Sequence, residues 1–154
     1  MTKAVILADG SFPVHEVPVE YLKKAGLIVC CDGSTRTLVD HGMTPDAIVG
    51  DMDTIDQELA SGFADRIFTD GDQETNDLTK AVEWCRKSGY TDITILGATG
   101  KREDHSIGNI SLLAEYSKRV RVRMVTDTGI FRPFHESCRM ETFPVQQISV
   151  FSIN

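Results

Sequence analysis

The sequence predicts an α/β domain built on a doubly wound, mostly parallel sheet, and three observations predict it. Short apolar runs without alternation, as at residues 4–8, 27–31 and 92–96, read as strands covered on both faces. Helical patterns lie between them throughout, which favours βα units over hairpins. Polar clusters rich in Asp and Gly follow almost every run, where open α/β sheets bind ligands.

The chain has 154 residues, 41% of them hydrophobic, enough for one domain with its own core. Its net charge of −7 and pI near 5.0 exclude a basic field for nucleic acid or anionic lipid. A phosphate-bearing ligand must therefore rely on local bases, backbone N–H groups or a bridging metal. Cys30, Cys31, Cys85 and Cys138 lack metal-ligand spacing and read as buried thiols, with Cys30 and Cys31 facing opposite ways in one strand. No signal-like stretch or run of about 18 apolar residues is present, so a reducing, cytoplasmic setting is expected, with no membrane partner.

The first strand, 4–8, ends in the turn Asp9-Gly10-Ser11. Pro18 suits the first turn of a helix that Gly26 closes. The second strand, 27–31, runs into Asp32-Gly33-Ser34, and a short helix carrying Leu38 and Val39 inward follows to His41. The third strand, from Pro45, ends at Gly50 and opens into Asp51-Met52-Asp53. In an extended backbone Asp51 and Asp53 point the same way, and two converging carboxylates suit a hard cation such as Mg²⁺. The same stretch also reads as an ordinary loop, because Thr54 and Gln57 form a capping box that could simply start the next helix. From residue 46 to 77 there are ten acidic residues against one base, Arg66, which strengthens the metal reading.

A fourth short strand at 66–69 precedes the polar turn 70–74. The helix after it is the clearest in the chain, with Leu78, Ala81, Val82 and Cys85 at i, i+3, i+4 and i+7. Asp77 and Lys80 adjoin on its first turn, either as a solvent-exposed ion pair or as part of a site. The fifth strand, 92–96, breaks into Gly97-Ala98-Thr99-Gly100-Lys101-Arg102-Glu103-Asp104-His105. Glycines there let backbone N–H groups approach phosphate, and the following helix offers its positive N-terminus. It places His105 and Asn109 one turn apart, with Ile107, Ile110 and Ala114 on other faces; His105 is either an ordinary polar contact or a site residue. Residues 120–125 alternate apolar with Arg121 and Arg123, as in a strand near a sheet edge. Residues 131–138 are irregular, and 147–153 read as a strand that begins as the sequence stops. In a Rossmann-like sheet all these loops converge on one site.

Four segments together resemble the catalytic domain of thiamine pyrophosphokinases: Cys-Asp-Gly-Ser at 31–34, Pro-Asp-Ala-Ile-Val-Gly-Asp-Met-Asp-Thr-Ile at 45–55, Asp-Gln-Glu-Thr-Asn-Asp-Leu-Thr-Lys-Ala at 72–81, and Gly-Ala-Thr-Gly-Lys-Arg-Glu-Asp-His at 97–105 with Asn109 beyond. The resemblance implies pyrophosphoryl transfer from ATP to the hydroxyl of thiamine, giving thiamine diphosphate and AMP. It implies Asp51, Asp53 and Asp77 as Mg²⁺ ligands. Asp32, Gly33, Ser34, Lys80, Gly97, Gly100 and Arg102 are implied at ATP, and Asp104, His105 and Asn109 at the acceptor. The catalytic set is then Asp51, Asp53, Asp77, Arg102, Asp104 and His105. The sequence departs from the pattern at Ser34 and Lys101, where glycines are usual, and at Asn76. Residues 1–142 are expected to form the ATP- and Mg²⁺-binding catalytic domain, and 143–154 the start of a truncated C-terminal β-sandwich that binds thiamine in a homodimer. The same kit would serve a related pyrophosphokinase acting on another alcohol, such as a hydroxymethylpterin, or a non-catalytic nucleotide-binding domain.

Overall fold

The computed structural model describes residues 3–153; Met1, Thr2 and Asn154, at the ends of the two expected domains, lie outside them. The order of elements is β1 (Lys3–Leu7), α1 (Glu16–Lys23), β2 (Ile28–Cys31), α2 (Thr35–Asp40), β3 (Ala47–Gly50), α3 (Gln57–Gly62), β4 (Ile67–Thr69), α4 (Asp77–Lys87), β5 (Asp92–Leu96), α5 (Glu103–Tyr116), β6 (Arg121–Val125) and β7 (Ile130–Phe131). The sheet runs β4-β3-β2-β1-β5-β6-β7. Every pairing is parallel except β6 with β7. Winding reverses between β1 and β5, so the switch point and its crevice lie beyond the ends of those two strands.

The apolar runs fill both faces of the sheet. Ile6, Val29, Val49, Ile93 and Met124 meet Leu78, Ala81, Val82 and Cys85 of α4 and Leu113 and Tyr116 of α5. Val5, Leu7, Cys30, Leu96 and Val125 meet Leu22 of α1 and Leu38 of α2 on the other face. Cys31 belongs to the first cluster and Cys30 to the second, as strand alternation requires. Cys138, by contrast, is exposed, in the irregular stretch after β7 where residues 134–140 face solvent.

The differences from expectation have local causes. Asp56, not Thr54, caps α3, its carboxylate accepting from Leu59 N at 2.9 Å. Residue 130 opens an unforeseen two-residue strand, β7, too short to carry a periodic signal. That addition leaves β6 one strand in from the edge, and Arg123 is half-buried against Asp92 at 2.6 Å. Residues 147–153 form no strand: they lie outside the seven-stranded sheet, exposed to solvent, so their apolar side chains gain no burial from pairing. No described helix is long and apolar enough to cross a membrane.

Candidate active site

Beyond the strand ends lies a cleft of about 750 Å³, lined from β1 (Asp9), β2 (Asp32), β3 (Asp51, Asp53), α4 (Asp77, Lys80) and the loop and first turns after β5. The β1 and β5 loops are locked together before they reach it. Gly10 N donates to Gly97 O at 2.6 Å and Ser11 N to Thr99 O at 2.8 Å. A Cβ on Gly10 would lie 2.4 Å from Gly97 O, so only glycine permits this approach.

At the centre stands Asp32, 2% exposed. Its Oδ1 accepts from Gly33 N at 2.7 Å, while Oδ2 is buried with no hydrogen-bond partner among the described residues. Gly50 leaves room for this carboxylate, since a Cβ there would meet Asp32 Cγ at 2.9 Å. Carboxylate oxygens of Asp32, Asp51 and Asp77 lie within 4.8 Å of one another. The set differs from the extended pair Asp51 and Asp53 because the chain turns sharply at Met52, φ 67°. Asp53 N then donates back to Asp51 Oδ1 at 3.1 Å. Asp53 lines the same cleft outside the trio.

The crowding shows in the proton affinities. Burial, then the Asp32 and Asp51 carboxylates, push Asp77 up to about 6, against the opposing pull of Lys80. Asp51 is held below the usual carboxylate range, chiefly by the Asp53 N–H. Lys80 is buried at 4% exposure, its Nζ 3.7 Å from Asp77 Oδ1. Of the two readings of that spacing, the exposed ion pair is the one the structure excludes. Asn76 caps α4 by accepting from Thr79 N at 2.8 Å and so aims this helix N-terminus into the cleft.

On the far wall, Arg102 grips Asp104 with two donors, at 3.1 and 2.5 Å, both side chains exposed. His105 follows in the first turn of α5. Asn109 ties that helix to the β5 loop through Ala98 O at 2.9 Å. Ser34 is not brought to the cleft: its buried hydroxyl lies against the carbonyls of Leu7 and Cys31. Gly97 and Gly100, at φ 64° and 92°, shape the β5 turn; Ala98 and Thr99 are the turn residues that line the cleft. Sequence reasoning missed Asp9 by treating it as a turn. Its place directly after an apolar strand, like that of Asp32, was the available signal.

The sequence model described as "Thiamin pyrophosphokinase, catalytic domain" matches residues 19–126. Thiamine pyrophosphokinase 1 of rice is 33% identical over 134 residues, covering 70% of this chain and 50% of its own. The Bacillus subtilis thiamine pyrophosphokinase is 29% identical over 127 residues, covering 78% and 58%. The crystal structure of a Bacillus subtilis thiamine pyrophosphokinase superposes with a TM-score of 0.64 at 27% identity, covering 80% of this chain and 60% of that one. That of Geobacillus thermodenitrificans gives 0.63 at 27%, covering 80% and 59%. The chain thus spans between half and three-fifths of these relatives' lengths. The match takes in β2 to β6 with the loops and helix starts between them, though not β1 and Asp9, and the chain belongs to the thiamin pyrophosphokinase catalytic-domain family.

Proposed function

We propose that this chain transfers the pyrophosphoryl group of ATP to the hydroxyl of thiamine, giving thiamine diphosphate and AMP. The observation that carries the reading is the trio Asp32, Asp51 and Asp77, with Asp32 Oδ2 buried and unpartnered at its centre. Three crowded carboxylates, one with an idle oxygen, fit a hard divalent cation of the Mg²⁺ type. Asp32, Asp51 and Asp77 would hold it, with Asp53 beside them. Such an ion supplies neutralisation of the phosphate oxygens, and transfers of this class need positioning and charge stabilisation more than covalent help.

The other residues divide by position. Lys80 lies beneath the trio, where it can meet the donor phosphates, and Arg102 presents a planar fork suited to phosphate oxygens. The Gly97–Gly100 turn and Gly33 shape the floor for the nucleotide. Asp104, His105 and Asn109 line the opposite wall, where a carboxylate favours the cationic thiazolium and can orient the hydroxyl. The active unit is a homodimer in the cytoplasm, and residues 143–154 begin a thiamine-binding β-sandwich. Exposed Ile107 beside the cleft and exposed Phe143, Val145, Val150 and Phe151 in the tail support such a partner surface. The longer lengths of the relatives support a further domain.

The test is AMP release from ATP with thiamine and Mg²⁺ each present or omitted, alongside Asp51→Asn. Release should need all three components and fall at least a hundredfold in the variant. Equal release without thiamine, or normal turnover by Asp51→Asn, would overturn the reading.

A further inference from the structure

Every lysine and arginine lining the cleft is already engaged by a carboxylate: Lys80 by Asp77 at 3.7 Å, Arg102 by Asp104 at 2.5 Å and Lys101 by Asp9 at 3.4 Å. A polyphosphate must compete with one of these partners, and the three are not equally easy to displace. Lys80 is buried beneath the acidic trio, and moving it would leave Asp77 unpaired in a half-buried place. Arg102 is held by two donors in a fork that must be broken at both points. Lys101 makes one long contact, with 58% of its side chain exposed and 49% of Asp9's. A single exposed pair of that length contributes little and releases readily.

The place of this pair gives it a use. Asp9 follows β1 and Lys101 follows β5, so the contact spans the switch point of the sheet, where ligands of such folds lie. Asp9 also rests on the Asp32-Gly33 turn, since a Cβ on Gly33 would lie 2.2 Å from Asp9 Oδ2. Lys101 is thus held, through Asp9, beside the turn that carries Asp32, on a flexible four-carbon stem.

We propose that Lys101 is a donor-positioning residue that leaves Asp9 for a phosphate of ATP, and that Asp9 acts as its competitor, holding the lysine at the rim until the nucleotide arrives. The proposal rests on the pyrophosphokinase reading and adds a residue to the donor side. It gives the two partners of one ion pair opposite effects on nucleotide affinity, which a merely structural latch would not.

The test is calorimetric binding of Mg²⁺-ATP to the full 154-residue chain, with melting curves on each variant to confirm folding. Lys101→Gln should weaken ATP about tenfold, the loss of one charge-assisted hydrogen bond. Asp9→Asn should tighten it about two- to threefold by removing the competitor, and the double variant should bind no better than Lys101→Gln. Where turnover is measured, thiamine KM should stay within about twofold in both single variants. Unchanged affinity in Lys101→Gln, or weakening in Asp9→Asn comparable to that in Lys101→Gln, overturns this proposal while ATP binding by the unsubstituted chain leaves the functional reading standing. Failure of the unsubstituted chain to bind ATP overturns both.

Discussion

Asp77→Asn should make the metal-free protein more stable at neutral pH, although it removes a buried lysine's closest partner. The Asp77 carboxyl is raised from 3.8 to about 6 in the folded state, burial being the largest cause and Asp32 and Asp51 the next. An acid whose folded pKa lies above its unfolded one binds more protons when folded, so stability is present below pH 4 and falls as pH climbs from about 4 to 6. The full shift corresponds to about 3 kcal/mol at 1.36 kcal/mol per unit. With a third of the side chain exposed, solvent screening brings this to about 1.5 kcal/mol. Losing a negative charge in the first turn of α4 costs back about 0.5 kcal/mol. The expected net gain is about 1 kcal/mol, or roughly 2–4 °C in Tm for a chain of this size. Melting in EDTA from pH 7.5 down to 4.5 should show the advantage of Asp77→Asn shrinking through the 6-to-4 window. Saturating Mg²⁺ should reverse the order at pH 7.5, because binding to the folded trio stabilises the unsubstituted protein by mass action. A variant less stable than the parent in EDTA at pH 7.5, or an advantage that does not decline toward pH 4, would refute the account of the trio as a repulsive cluster.

Two further substitutions probe the scaffold. Gly10→Ala sets a Cβ 2.4 Å from Gly97 O and 2.5 Å from Thr99 O, both backbone atoms that cannot swing aside; urea unfolding should show a loss of at least about 2 kcal/mol, and a loss under 0.5 kcal/mol would contradict the close packing of the two loops. Arg123→Met leaves Asp92, 5% exposed, without its ionic partner; the expected cost is about 2–3 kcal/mol, most of it recovered when Asp92→Asn is added, and an undiminished loss in the double variant would show that the arginine acts by packing instead.

The parallel core was legible because its strands are buried on both faces and therefore read as continuous apolar runs, and β5 lies at the residues expected of it. What escaped was structure with little periodicity of its own. β7 has two residues, and 147–153, apolar enough to suggest a strand, runs exposed outside the sheet. In the site, Asp51 and Asp77 were expected together from the family resemblance, but the grouping that takes in Asp32 and leaves Asp53 outside was not legible. It depends on the left-handed turn at Met52, a residue type that gives no hint of positive φ. Asp9 was hidden for a related reason: Asp-Gly-Ser reads as a turn, and only the strand order places that turn beside the loop after β5.

The arrangement of charges links these observations. Six carboxylates line the cleft, on Asp9, Asp32, Asp51, Asp53, Asp77 and Asp104, against three bases, on Lys80, Lys101 and Arg102. The bases pair with Asp77, Asp9 and Asp104, which leaves Asp32, Asp51 and Asp53 without a basic partner among the described residues. Read from sequence, Arg102 and Asp104 are separate donor and acceptor groups, but in the folded chain each neutralises the other, so a substitution at one also frees its partner. A polyanion entering this cleft meets no spare positive charge in its lysines and arginines. It binds through backbone N–H groups, through a cation that joins the unpaired carboxylates, or through a basic side chain that changes partners. The acidic centre and the weakly held Lys101 answer the last two of these separately, and both line the one cleft.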